Sequence, residues 1–102
     1  MVLLHMIADT VEQANEIAKV LTEEKLVLSA LIQPGGRLQT QGRAEAEDRT
    51  LILAQTKGLL FNTIDEKPRK MYPKEIPVLY SVPIVNMDWE QADVLVAKTA
   101  KI

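Results

Sequence analysis

The residues best placed to do chemistry lie in one short run, Tyr72-Pro73-Lys74-Glu75-Ile76-Pro77. The two prolines fix their own φ and push the residues before them into extended backbone. A phenol and a carboxylate are thus held in a segment with little freedom left to lose on binding. The same prolines also serve as a rigid start for a strand. His5 is the only imidazole in the chain. Among apolar neighbours it reads first as a core or interface residue. It becomes a route to zinc or copper where several copies bring their imidazoles together. Glu45, Glu47 and Asp48 could offer carboxylates to a hard cation, but they lack calcium-loop spacing and read as a solvated loop.

Other familiar chemistries are missing. Gly35-Gly36 has neither the GxGxxG pattern nor a following Lys-Ser/Thr, so it reads as a turn. Arg37, Arg43, Lys57 and the cluster Lys67-Pro68-Arg69-Lys70 supply cations without a phosphate-binding motif. Ser29 and Ser81 have no nucleophile elbow around them and no base other than His5. No carboxylate is set against a partner by its spacing. The chain is therefore expected not to be an enzyme. With no cysteine, disulfides, thiolate zinc sites, iron–sulfur clusters and cysteine nucleophiles are excluded. A net charge of −2 argues against a sequence-independent grip on nucleic acid. No apolar run approaches the ~18 residues of a membrane span. The first residues carry no basic segment of a secretory signal, so a cytoplasmic location is expected.

The elements that must position these residues follow from periodicity. Residues 2–8 form an apolar, β-branched run that predicts a buried strand. Val11, Ala14, Ile17, Ala18 and Leu21 then repeat at helical spacing, with Glu12, Gln13, Glu16, Lys19 and Glu23 on the other side. Both Thr10-x-x-Gln13 and Asp9-x-x-Glu12 fit a capping box at the start of this helix. Residues 26–33 read as a second strand, stopped by Pro34-Gly35-Gly36. Residues 37–48 read as an exposed hairpin-like excursion, and 49–56 as a third strand. Leu60, Phe61, Ile64, Pro68 and Met71 share a helical stripe, with a kink or stop expected at Pro68. Residues 76–84 read as a strand whose two prolines place it at an edge. Asp88 caps a last helix with Trp89, Ala92 and Leu95 or Val96 turned inward. The terminal stretch 94–102 has weaker periodicity and could be partly strand.

The order β-α-β-β-α-β-α predicts one domain over residues 1–102, an α+β ferredoxin-like sandwich. It would be an antiparallel sheet with helices on one face. A chain of 102 residues with 4% aromatics has a thin aliphatic core. A domain this small buries only about 65% of its unfolded surface. The strands are apolar at nearly every position, which predicts burial on both faces. No helix remains for the second face, so another chain must cover it.

Glu24-Lys25-Leu26 ahead of the second strand, Gly42-Arg43 before acidic residues, and Gln55-Thr56 ending the third strand together resemble the divalent-ion tolerance family, CutA. So does the run from Tyr72 to Pro77, where Pro73, Glu75 and Pro77 match the family signature. The resemblance spans roughly the whole chain. It departs where Thr40 stands for a family Trp, Ser29 for the second-strand Cys and Tyr72 for the signature His; the last two are positions associated with copper or other divalent ions. The resemblance implies a ferredoxin-like subunit in a homotrimer sharing the architecture of PII-type signalling proteins. It implies binding or signalling linked to divalent-cation homeostasis, with copper or zinc as the candidate ion and the small ligand unidentified. Gln55, Lys57, Tyr72 and Glu75 become the candidates to line inter-subunit clefts, and His5 the candidate metal ligand. The alternative is a PII-like regulator holding a nucleotide or other small anion in those clefts.

Overall fold

A computed structural model describes residues 1–101 of the chain. The elements are β1 (Val2–Ala8), α1 (Val11–Glu23), β2 (Ala30–Leu38), β3 (Glu47–Thr56), a 3-10 turn (Gly58–Leu60), α2 (Phe61–Met71), β4 (Val78–Pro83) and α3 (Trp89–Lys98). The four strands form one sheet in the order β2-β3-β1-β4, with every neighbouring pair antiparallel. Two split β-α-β units interleave in this order, which is the ferredoxin-like arrangement expected. No helix among the described residues is long and apolar enough to cross a membrane.

Strand alternation divides the sheet into two unlike faces. Leu4, Met6 and Ala8 of β1 and Thr50, Ile52, Ala54 and Thr56 of β3 are buried beneath the helices. Ala14, Ile17, Ala18 and Leu21 of α1 and Ile64 of α2 complete that core. Burying each large aliphatic side chain contributes roughly 1.5–3 kcal/mol. The other face is open. Register sets Leu31, Leu53, His5 and Tyr80 in one row across it. Gln33, Leu51, Ile7 and Val78 form the next row, and Gln55, Leu3 and Val82 a third. Leu31, Val78, Tyr80 and Val82 are exposed there despite their apolar character. The expected burial of both faces is therefore met on one face within a single chain.

Several local expectations are corrected. The second strand begins at Ala30, not residue 26. Leu26 and Val27 instead close α1: Lys25 takes a left-handed φ of 58°, and the Leu26 N–H donates to the Leu21 carbonyl at 2.9 Å. The Lys25 N–H donates to the Thr22 carbonyl at 3.1 Å, completing a Schellman motif. The apolar run was a helix stop with its packing contact, since Leu21 and Leu26 are both buried. Pro34-Gly35-Gly36 does not end β2 but bulges it, shifting register between Gln33 and Gly36. An edge strand can spare the proline's missing N–H. Gly35 supplies φ +88°, and Gly36 lies where a Cβ would meet the Arg49 carbonyl oxygen at 3.0 Å. The hairpin therefore runs on to Leu38 and resumes at Glu47.

Pro68 neither stops nor ends α2, which continues to Met71. Pro68 is fully buried on the apolar side with Ile64, so packing offsets the lost backbone hydrogen bond. On α1, Val11 is exposed while Gln13, assigned to the polar side, is buried. Strand β4 covers only 78–83 and lies at the sheet edge, as its prolines require. Asp88 caps α3, accepting from the Gln91 N–H at 3.1 Å. Trp89 does not anchor that helix: it is 71% exposed, and Val96 is 52% exposed. Leu95 is the residue of α3 that goes under cover. The tail, whose weak periodicity leaves helix and strand open, is helical to Lys98, with Thr99 in extended backbone. The last part of that tail expectation, Ile102, lies outside the described residues.

Candidate functional site

The four cleft candidates fall at opposite ends of the molecule. Tyr72 and Glu75 sit against the N-terminal end of α1, beyond the Ala8 end of β1. Gln55 pairs in register with Leu3 at the other end, and Lys57 lies two residues further on. The five residues of β1 between these ends span roughly 17 Å. A single chain therefore does not assemble one site from all four.

The Tyr72 end is organised by α1. Thr10 Oγ1 accepts the Gln13 N–H at 3.0 Å as the N-cap. Gln13 then uses both ends of its amide. Its Oε1 accepts the Asp9 N–H at 2.7 Å, and its Nε2 donates to the Glu75 carbonyl at 2.8 Å. Both polar atoms of the buried amide thus have a partner, as burial demands. One turn further along α1, Glu16 accepts a hydrogen bond from the Tyr72 hydroxyl. That bond, with burial and the charges of Glu16 and Glu75, pushes the phenol up to about 12. The Glu75 N–H donates to the Tyr72 carbonyl at 3.1 Å, closing a turn that contains Pro73. Asp9 completes this corner through Arg49, whose Nε lies 3.4 Å from its carboxylate; Arg49 also meets Glu47 at 3.2 Å. The arrangement presents acidic oxygen atoms and a phenol on a rigid backbone.

The other end is built differently. Lys57 Nζ donates to the Thr99 and Ala100 carbonyls at 3.3 and 2.9 Å. Its charge faces carbonyls left over at the end of α3, where a cation is favourable. Lys57 is thus engaged within its own chain. Gln55 is exposed on the open face. It borders a groove of about 390 Å³ whose other walls are Leu28, Met87, the capping Asp88 and the α3 residues Glu90, Gln91 and Val94.

His5 lies between the two ends, in the middle of the open face. Its ring centroid is 5.1 Å from that of Tyr80, tilted by 37°. Among the described residues no three His, Cys, Asp or Glu side chains converge as a metal site. Glu47 and Asp48 are taken by arginines: Glu47 by Arg43 at 3.3 Å and Arg49, and Asp48 by Arg37 at 3.1 Å. In the basic cluster, Lys67 meets Glu24 at 2.6 Å and Arg69 meets Asp65 at 3.0 Å.

Sequence reasoning assigned Glu16 to a solvated helix side, and nothing local distinguishes it from Glu12. Gln13 was visible only as a capping residue. Its hold on Glu75 depends on two segments that no short-range pattern connects.

A family model described as CutA1 divalent ion tolerance protein matches residues 2–95. A Thermus thermophilus protein named divalent-cation tolerance protein CutA is 30% identical over 84 residues, covering 80% of this chain and 82% of that protein. The solved structure of divalent cation tolerance protein (Cut A1) from Thermus thermophilus superposes with a TM-score of 0.86 at 27% identity, covering 98% of this chain and 100% of that one. CutA1 from rice, Oryza sativa, superposes with a TM-score of 0.87 at 17% identity, covering 99% and 94% of the two chains, and speaks to the fold alone.

Proposed function

The chain belongs to the CutA1 divalent ion tolerance protein family, and from that premise we propose that it acts as a homotrimer that binds a small ligand in divalent-cation homeostasis. The observation that carries this reading is the open face of the sheet. Leu31, Val78, Tyr80 and Val82 stand exposed around half-buried Leu3, Ile7, Leu51 and Leu53. A contiguous apolar surface of this kind marks an interaction site. Three copies turning these faces toward one another would supply the second layer that the single chain lacks.

Assembly also bears on the divided candidates. Gln55 and Lys57 at one end can share a cleft with Tyr72 and Glu75 only where different copies meet. The same packing would bring three His5 side chains toward each other. Imidazole is a good ligand for zinc and copper, and one chain alone has no comparable donor set among its described residues. Within each chain, Gln13 and the flanking prolines hold Tyr72 and Glu75 in place, so little ordering remains to be done when a ligand arrives.

Solution mass by sedimentation equilibrium, followed by a thermal-shift panel, tests the reading. The expected mass is three times that of the 11.4 kDa chain, with melting raised by copper, zinc or cobalt. A monomer at micromolar concentration would remove the assembly. A trimer stabilised by adenine nucleotides and indifferent to those metals would replace cation binding with nucleotide-linked regulation.

A further inference from the structure

We propose that the C-terminal ends of α1 and α3 together form a binding site for a linear oligophosphate, held by Lys25, Lys98 and Lys101. All three lysines are exposed and line one depression of about 510 Å³, whose remaining wall is Ala97, Thr99 and Ala100. No carboxylate borders it. Elsewhere cations are taken up by the chain's own acids: Arg37, Arg43, Arg49, Lys67 and Arg69 each meet a carboxylate. Lys25, Lys98 and Lys101 have no such partner among the described residues. The site lies within one chain, so it goes beyond the cation-binding reading and does not depend on assembly.

The ordinary use of lysine beside a helix C-terminus is to offset the last carbonyls. Here other groups already do so. The Lys25 and Leu26 N–H groups close α1 on the Thr22 and Leu21 carbonyls, and Thr99 Oγ1 donates to the Leu95 carbonyl of α3 at 2.7 Å. The Lys57 ammonium takes the Thr99 and Ala100 carbonyls. The ammonium groups of Lys25, Lys98 and Lys101 are therefore left for an outside anion. Their backbone is fixed, because the Ala100 N–H donates to the Lys25 carbonyl at 2.7 Å and ties the two helix ends together. Lys25 is also the only non-glycine residue at positive φ among the described residues. A lysine held where glycine fits better is local strain of the kind that clusters at ligand sites. The wall has no aromatic ring and no large apolar side chain, so it offers nothing to a nucleoside base. Compact ammonium charges on flexible stems suit a chain of phosphates. The chain as a whole carries a net charge of −2, so the attraction is local to these lysines.

Isothermal titration calorimetry with inorganic tripolyphosphate, at fixed ionic strength and without added divalent metal, tests this. The expected result is saturable binding that weakens with salt, with NMR amide shifts confined to Lys25 and residues 97–101. Lys98→Gln combined with Lys101→Gln should raise the dissociation constant about tenfold, the scale of losing charge-assisted hydrogen bonds. Lys25→Gly should weaken binding in the same direction while relieving the left-handed turn, so its loss of affinity is not a loss of folding. Lys70→Gln, which removes the same charge from an exposed position in the last turn of α2, should bind as wild type does. A wild type that does not bind tripolyphosphate, or equal weakening by K70Q, would overturn the proposal. So would a much tighter grip on adenosine triphosphate than on tripolyphosphate, which would place a base in the site. The homotrimer is read from solution mass and stands or falls separately from these outcomes.

Discussion

The side-chain amide of Gln13 donates to the backbone carbonyl of Glu75 across 2.8 Å, joining the first turn of α1 to the proline-flanked segment that leads into β4. The other end of the same amide accepts from the Asp9 N–H. One buried side chain thus holds together the end of β1, the cap of α1 and the segment carrying Tyr72 and Glu75. Replacing it by leucine keeps most of the volume but removes both hydrogen bonds, to the Asp9 N–H and to the Glu75 carbonyl. Gln13→Leu should lower unfolding free energy by about 2 kcal/mol, read as a shift in urea midpoint. A change within experimental error would show that water replaces both bonds.

The Tyr72–Glu16 hydrogen bond makes stability depend on alkaline pH. The folded phenol titrates at about 12, above its ordinary value of 10. Between those values the unfolded chain has given up its proton while the folded chain still holds it. Stability from this contact is therefore complete below pH 10 and falls as pH rises toward 12. Absorbance titration of phenolate should show one of the two tyrosines ionising late, and Tyr72→Phe should remove that late step. If the late step survives in Tyr72→Phe, the hydrogen bond is not its cause.

Lys57 closes the far end of α3 through two carbonyls. Lys57→Met preserves the aliphatic stem and deletes the donor. The expected cost is about 1 kcal/mol. Hydrogen exchange should quicken locally at the Ala100 amide, which donates to the Lys25 carbonyl at 2.7 Å, and at the last turn of α3. Uniform acceleration across the chain would instead mark a global loss of stability.

Lys25 occupies the left-handed position that ends α1. A side chain there is strained, and glycine is the residue that fits without cost. Lys25→Gly should raise stability by about 0.5–1 kcal/mol, partly offset by the greater freedom of glycine in the unfolded chain. A lower thermal midpoint would indicate that the lysine side chain contributes a contact worth more than the strain.

Much of the architecture was legible before the structure. Thr10 and Asp88 announce their helices because an N-cap acts through atoms two or three residues away. The continuous apolar run of β1 and the prolines around β4 report a strand and an edge position, since β-branching and missing amide donors are local properties. Leu26 and Val27 misled for an equally local reason: an apolar pair after a helix suits a Schellman stop as well as a strand. Pro34-Gly35-Gly36 suits a bulge as well as a turn, and the choice depends on whether the strand has one neighbour or two. Trp89 follows a capping aspartate and looked like an anchor, but its direction depends on where α3 meets the rest of the chain.

By itself, the amino-acid sequence determined the order of elements, the starts of the first and last helices, the edge placement of the last strand and the apolar character of the second sheet face. These follow from periodicity and backbone chemistry acting over a few residues. Only the tertiary structure decided that Gln13 is buried and holds Glu75, that Glu16 receives the Tyr72 hydroxyl, that Lys57 serves α3, and that the four cleft candidates lie at two ends of one chain. Those relationships join segments far apart in sequence. They are set by strand order, register and helix packing, which no local pattern of residue types encodes.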